Sequence, residues 1–259
     1  MTTIELQYAP PAAVIRLSRP EVRNAISSQT IAEVNTALAE ISRKREVAGV
    51  VITGAGDSFS AGADLQQLRT SQASGADHAL RDSENFMRFL LRIHSFPKPV
   101  VAAVNGPAIG GGCGLATVCD LVIASERAVF GYAEVKIGFV PALVSVFLTR
   151  ITGEKKAREL LLTGRTFSAS EAEEIGLVNR VVSEEELLPS AKEMVSLIAQ
   201  NSPEAISMTK ELLTEVSGLT LREALSVAAA KNALSRYSGD FEEGIAAFLE
   251  KRSARFRNK

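Results

Sequence analysis

A chain of 259 residues with 46% hydrophobic side chains can form one large domain, or a core with a small appendage, around a sizeable buried interior. Its 29 basic and 30 acidic side chains leave a formal net charge of −1, which excludes a nucleic-acid surface or a polybasic membrane anchor as the organising feature. The longest apolar run, residues 139–148, is interrupted by Pro141 and Ser145 and is too short to span a bilayer; with no leader-like segment at the start, a cytoplasmic protein is expected.

In chain order, short apolar strands alternate with amphipathic helices. Residues 4 onward read as a strand, Pro20 to Asn24 leads into a helix with Ile31, Val34, Leu38 and Ile41 on one face, and Val47 to Thr53 is the next strand. Residues 71–79 are polar and small and read as a mobile loop before a helix carrying Leu80, Phe86, Phe89, Leu90 and Ile93. A buried strand is predicted at 100–104, a helix from about Leu115, and a further strand at Leu121 to Ala124. Ser168-Ala169-Ser170-Glu171 fits a capping box for a short helix closed by Gly176. Beyond about residue 200 only helices are predicted, over 204–216, 221–237 and 240–251. The alternation is that of an α/β domain, and periodicity by itself suggests an open parallel sheet.

Two glycine-rich turns interrupt this pattern directly after strands. Asn105-Gly106-Pro107-Ala108-Ile109-Gly110-Gly111-Gly112-Cys113-Gly114 follows the 100–104 strand, and Thr53 to Asp64 follows Val50-Val51-Ile52. Glycines at a strand-to-helix turn leave peptide N–H groups unshielded at the positive end of a helix, a place that holds an anion. No Gly-Lys-Ser/Thr follows, and Gly-x-Gly-x-x-Gly spacing is missing, so neither a Walker loop nor a dinucleotide fingerprint is present. The anion is left as a phosphate or a transient oxyanion. Cys113 and Cys119, the only cysteines, lack metal or redox spacing, and His78 and His94 read as structural or solvent-facing, so no metal site is expected.

Phe59-Ser60-Ala61-Gly62-Ala63-Asp64 and the 105–113 turn together resemble the paired signatures of the enoyl-CoA hydratase/isomerase, or crotonase, superfamily. The resemblance continues through Cys119 to Ala124, Phe130 to Val135, Leu162 to Arg165, Ala172 to Val182 and Phe248 to Arg252, nearly the whole chain in order. It implies a spiral of repeated strand-strand-helix units over residues 1–200 and a helical C-terminal region over 201–259 that packs between subunits of a homotrimer or a dimer of trimers. It also implies an acyl-CoA thioester as substrate, with no cofactor beyond the CoA that the substrate carries.

Carried over residue by residue, the resemblance implies that the N–H groups of Ala61 and Gly111 stabilise negative charge on the thioester oxygen. Removing one such donor typically raises a barrier by about 2.7–4 kcal/mol. Glu134 matches the family's catalytic glutamate; its neighbours are mostly apolar, so burial is expected to raise its pKa into a useful range. Arg23, Ala63, Asp64 and Leu65 are expected around the CoA moiety, and Phe256, near Lys251, at the adenine pocket of a neighbouring subunit. Gln66 stands where a lysine is common, and Arg69 is a substitute cation. Phe86, Phe89, Leu90, Val140, Leu143 and Phe147 are candidates for the acyl pocket or for core.

The chain departs from the best-known hydratase pattern at Gly114, where a second glutamate is usual. The overall likeness implies a hydratase, whereas a single carboxylate is sufficient for moving a double bond from the 3,4 to the 2,3 position. Asp64 and Tyr132 are nearby in sequence as further acids. A non-catalytic acyl-CoA binder is the third reading.

Overall fold

The computed structural model describes residues 2–256. The first strands, β1 (Ile4–Ala9) and β2 (Ala12–Leu17), form an antiparallel pair, and α1 (Ser28–Arg43) follows with Ser27 as its N-cap. Next come β3 (Gly49–Gly54), α2 (Leu65–Ala73), α3 (Ala76–His94), β4 (Val100–Val104), the two-residue β5 (Ala108–Ile109) and α4 (Gly111–Val118). Strands β6 (Leu121–Ser125) and β7 (Val129–Gly131) precede α5 (Ala142–Thr163), which is broken at Gly153. The rest is β8 (Thr166–Ser168), α6 (Ala169–Glu174), β9 (Arg180–Val182), α7 (Glu184–Ile198), α8 (Pro203–Glu215), α9 (Leu221–Ser235) and α10 (Gly239–Leu249).

Six strands make one sheet in the order β1-β2-β3-β4-β6-β9, parallel except at β1, and β5-β7-β8 make a second, smaller sheet. Successive turns of chain supply a strand to the large sheet, a strand to the small one and then a helix, as in β4-β5-α4 and β6-β7-α5. An open parallel sheet therefore describes only half of the architecture. The second sheet is what turns the alternation into a spiral.

Both faces of the large sheet are covered over its central strands, which is why β3, β4 and β6 read as nearly continuous apolar runs. Ala13, Ile15, Leu17, Val50, Ile52, Val100, Ala102 and Val104 enter the main core with α1, α3 and α4, while the intervening Ala12, Val14, Val51, Val101 and Ala103 meet Leu187, Ala191 and Val195 of α7. The alternation follows from successive side chains pointing to opposite faces of a strand.

The expected mobile loop at 71–79 is mostly helix. Asp64 Oδ1 accepts from the N–H groups of Gln66 and Gln67 and starts α2, and only Ser74 and Gly75 separate α2 from α3. The helix expected from Leu115 begins four residues earlier, at Gly111, so three glycines are inside its first turn. At α6, Ser168 Oγ accepts the Glu171 N–H at 3.1 Å, but the Glu171 carboxylate pairs with Arg165 instead of closing the box. The reciprocal capping box is found at Thr220 and Glu223 of α9.

Helices α8 to α10 follow the last strand. Lys210 of α8 ties them to the core through Asp120 Oδ2 at 2.5 Å and the Lys98 carbonyl at 3.1 Å. Many of their large apolar side chains face outward, among them Leu221, Leu225, Leu234, Phe248 and Leu249. No helix among the described residues is long and apolar enough to cross a membrane.

Candidate active site

The two glycine-rich turns leave the C-terminal ends of adjacent parallel strands β3 and β4, the end of such a sheet where ligands bind. They are bonded to each other. The N–H groups of Phe59 and Ser60 donate to the Pro107 carbonyl at 3.1 and 3.2 Å, Ile109 N–H donates to the Ser60 carbonyl at 2.9 Å, and Asn105 bridges from Gly54 N–H to the Gly56 carbonyl. Asn24 Nδ2 holds the first turn from below through the Ala55 and Ser58 carbonyls. These bonds leave little freedom in where the next few peptide groups point.

Gly62 is one of the close approaches of the first turn to α4, as is Gly112, whose β-carbon would lie 2.3 Å from the Ser60 carbonyl oxygen. The φ of Gly62 is +90°, and a β-carbon on it would lie 2.6 Å from the Ile109 carbonyl oxygen and 2.8 Å from Gly111 N. Gly110, with φ +54°, is the N-cap of α4. Gly111 is therefore the first helical residue, whose N–H has no partner within its own helix. Its Cα faces two groups at once: a β-carbon there would sit 3.4 Å from Ala63 N and 2.9 Å from Phe86 Cζ.

The donor expected at Ala61 is engaged elsewhere, because Ala61 N–H donates to the Arg23 carbonyl at 2.8 Å. Ile26 N–H donates to the Gly62 carbonyl and Asp64 N–H to the Ile26 carbonyl, and this bridge skips the intervening Ala63 N–H. No hydrogen bond is formed by Ala63 N–H among the described residues. The alternation that makes Ala61 a structural donor thus leaves Ala63, two residues on, beside Gly111. The paired N–H groups fall on Ala63 and Gly111, which corrects the expectation by two positions.

Glu134 reaches the same place from the other side. It opens a short 3-10 turn after β7, closed by Gly138, and its carboxylate lies over Gly110, whose β-carbon would be 3.3 Å from Oε1. Its Oε2 is buried without a hydrogen-bond partner. Burial raises its pKa above the usual carboxylate value, opposed only by its own backbone hydrogen bond. An orphaned carboxylate oxygen in an apolar surround holds or takes a proton more readily than a solvated one.

A cavity of about 410 Å³ joins these groups. Ala61, Ala63, Leu65, Gly111 and Glu134 all line it, with Phe86, Val140 and Leu143 among its apolar walls. Phe89 and Leu90 are instead fully buried core, and Phe147 packs edge-on against His94 at 5.4 Å. The other carboxylates that line it are Asp64 and Asp82. Asp64 is a structural residue, since Oδ2 pairs with Arg19 at 3.0 Å while Oδ1 caps α2. Asp82 was missed by the sequence reading; its signal is its place one helical turn before Phe86 on the same face of α3. Tyr132 does not reach the cavity as an acid, because it is fully buried with its hydroxyl 2.7 Å from Thr117 Oγ1 and its pKa far above normal through desolvation.

The remaining expected binders separate. Arg23 is exposed, in a left-handed conformation that aims its carbonyl at Ala61, and its guanidinium has no partner among the described residues. Arg69 is likewise exposed. Phe256 lines a different cavity, with Pro97, Pro99 and Pro203 at the opposite ends of the strands, and lies 3.7 Å from where a Gly244 β-carbon would be. Within one chain it lines no part of the cavity that holds Glu134. His78 bonds Ser71 through Nδ1 at 3.1 Å, and both cysteines are buried, free and pushed to high pKa by desolvation. No cluster of metal-ligating side chains occurs among the described residues.

Residues 11–259 match the family described as enoyl-CoA hydratase/isomerase. A Thermus thermophilus protein named as an enoyl-CoA hydratase is 48% identical over 244 residues, 94% of this chain and 96% of that one. A crotonyl-CoA hydratase of Syntrophomonas wolfei is 37% identical over 99% of this chain and 98% of its own. The crystal structure of an enoyl-CoA hydratase from Polaromonas sp. JS666 superposes with a TM-score of 0.92 at 34% identity, covering 98% of this chain and 99% of that chain.

Proposed function

The chain belongs to the enoyl-CoA hydratase/isomerase family, and from that membership we propose that it adds water across the 2,3 double bond of an enoyl-CoA thioester. The observation that carries this reading is the convergence of the Ala63 and Gly111 N–H groups beside the unpartnered Oε2 of Glu134, in one apolar cavity. The two N–H groups hold the thioester oxygen. Water bonds to C3 through its oxygen while Glu134 takes its proton, the 2,3 π pair moves to make the enolate, and Glu134 returns that proton to C2. The donors contribute because charge on the oxygen grows between ground and transition state, and they are already oriented for it by the locked turns. Arg23, exposed and unpaired, meets the phosphates of the CoA moiety.

A second reading is supported by the lone carboxylate over Gly110 and the glycine at 114. Glu134 takes a proton from C2 of a 3-enoyl thioester, the two N–H groups hold the dienolate, and the proton returns at C4 as the double bond moves to the 2,3 position. The conjugated enoyl thioester absorbs in the ultraviolet, so one assay separates the readings. A hydratase lowers the absorbance of a 2-enoyl-CoA. An isomerase raises that of a 3-enoyl-CoA, and silence with both leaves an acyl-CoA binder.

The chain also assembles with copies of itself through its C-terminal helices, as a trimer or a pair of trimers. Leu221 is 77% exposed and Phe248 81% exposed, on helices that bury almost nothing against their own core, which supports a partner surface there. Sedimentation of the purified protein tests this: three or six copies are expected, and a monomer at micromolar concentration overturns it.

A further inference from the structure

Gly114 is fully buried in the first turns of α4 and is absent from the positive-φ residues, so its backbone accepts any L side chain. What excludes one is a single neighbour. A β-carbon at 114 would lie 2.2 Å from Val144 Cγ1 and 3.3 Å from Val144 Cβ. Val144 stands in the first turn of α5, a few residues beyond the segment that carries Glu134; it is 3% exposed and lines the same cavity. Phe86 covers Gly111 in a similar way. The start of α4 is thus faced by apolar groups, with Glu134 as the carboxylate that lies over it.

We propose that Val144 is a specificity-determining residue: it fills the space that an acid-base side chain on α4 would occupy, and so sets how the site divides its activity between addition of water to a bound 2-enoyl thioester and movement of the double bond of a bound 3-enoyl thioester. The inference rests on the reading of the site given above. An isopropyl group can neither accept from nor donate to a water molecule, and its bulk keeps solvent from that face. Hydration needs a water molecule held at C3 with one O–H aimed at a carboxylate. Isomerisation needs none, because the same proton leaves C2 and arrives at C4. Val144 therefore disfavours the first reaction relative to the second, and the absence of a side chain at 114 is a consequence of its presence.

The test compares wild type, Val144→Ala, Gly114→Glu and the double variant, with 2-enoyl-CoA and 3-enoyl-CoA as separate substrates. Val144→Ala removes Cγ1, and the ratio of hydration to isomerisation kcat/KM is expected to rise several-fold; the double variant adds a second carboxylate, and the ratio is expected to rise by about tenfold or more. Gly114→Glu by itself is expected to melt about 5 °C or more below wild type, and much of that loss should be recovered in the double variant, a non-additivity that only contact between the two positions produces. If Gly114→Glu melts like wild type, or Val144→Ala leaves the ratio within about twofold of wild type, the proposal is overturned. Glu134→Gln separates this from failure of the underlying reading. Activity that survives Glu134→Gln, or a wild type inert on both substrates, sinks the site assignment and this inference with it, whereas activity lost in Glu134→Gln with a ratio unmoved by Val144→Ala sinks this inference alone.

Discussion

Replacing Glu134 by Gln is expected to lower kcat by about 10²–10⁴-fold while an acyl-CoA product still binds with nearly unchanged affinity. The amide keeps the size of the side chain over Gly110 and removes its ability to take a proton. Steady-state kinetics with equilibrium binding of the CoA product checks both halves. Turnover that survives the change within a few-fold would mean that another group, Asp82 first among those lining the cavity, moves the proton.

The same substitution has a stability signature whose sign is fixed by burial. Desolvation raises the pKa of Glu134 in the folded chain above its unfolded value. For such a group the folded state is favoured in full below the unfolded pKa, about 4.3, and the advantage is lost as pH rises through the raised folded pKa. At pH 7 the unfolded chain gains the full hydration of an ionised carboxylate, a gain that burial denies to Glu134 in the folded wild type. Glu134→Gln should melt at a higher temperature than wild type at pH 7, with the difference shrinking as pH falls toward about 4. Activity follows the opposite course: the acid limb of kcat/KM lies above the ordinary glutamate range, since protonation removes the base. A Gln variant less stable than wild type at pH 7 would contradict the orphaned state of Oε2.

Gly62→Ala is the second substitution with a large expected effect. Its φ of +90° disfavours any side chain, and the new methyl group would meet the Ile109 carbonyl oxygen at 2.6 Å and Gly111 N at 2.8 Å. These atoms are backbone held by strand and helix, so the first turn has to move and carries Ala63 N–H with it. The expected loss is about 10²–10³-fold in kcat, as for removal of one oxyanion donor. A destabilisation of about 1–3 kcal/mol in urea unfolding should accompany it. The pair of measurements is informative because the two losses have one cause. Near-normal kcat in a folded Gly62→Ala protein would mean that the approach of the turn to α4 does not position the donors.

The α/β class, the strands at 49–54, 100–104 and 121–125 and the helices after residue 200 were legible because continuous apolar runs and helical spacing are local properties. So was the pair of glycine turns, since glycines clustered after strands have few other uses, and so was Glu134 once its motif was read. What the sequence could not determine was which peptide N–H each turn leaves free. Ala61 and Ala63 are alike in composition and both line the cavity, and only the bridge from Ile26 across Gly62 and Asp64, with Arg23 accepting from Ala61, decides between them. Asp64 is similar: as a residue it is a candidate acid, and only its contacts with Arg19 and the start of α2 make it structural. Gly114 was visible as a missing carboxylate, but Val144, which fills the space beside it, lies thirty positions away with no periodic relation to it. Hydrogen bonding and steric exclusion act between neighbours in space. The sequence by itself determined the elements, the chemistry-bearing turns and the carboxylate proposed as the base, and the packing of α4 against β3's turn and α5 decided which N–H groups are free and what room the cavity has.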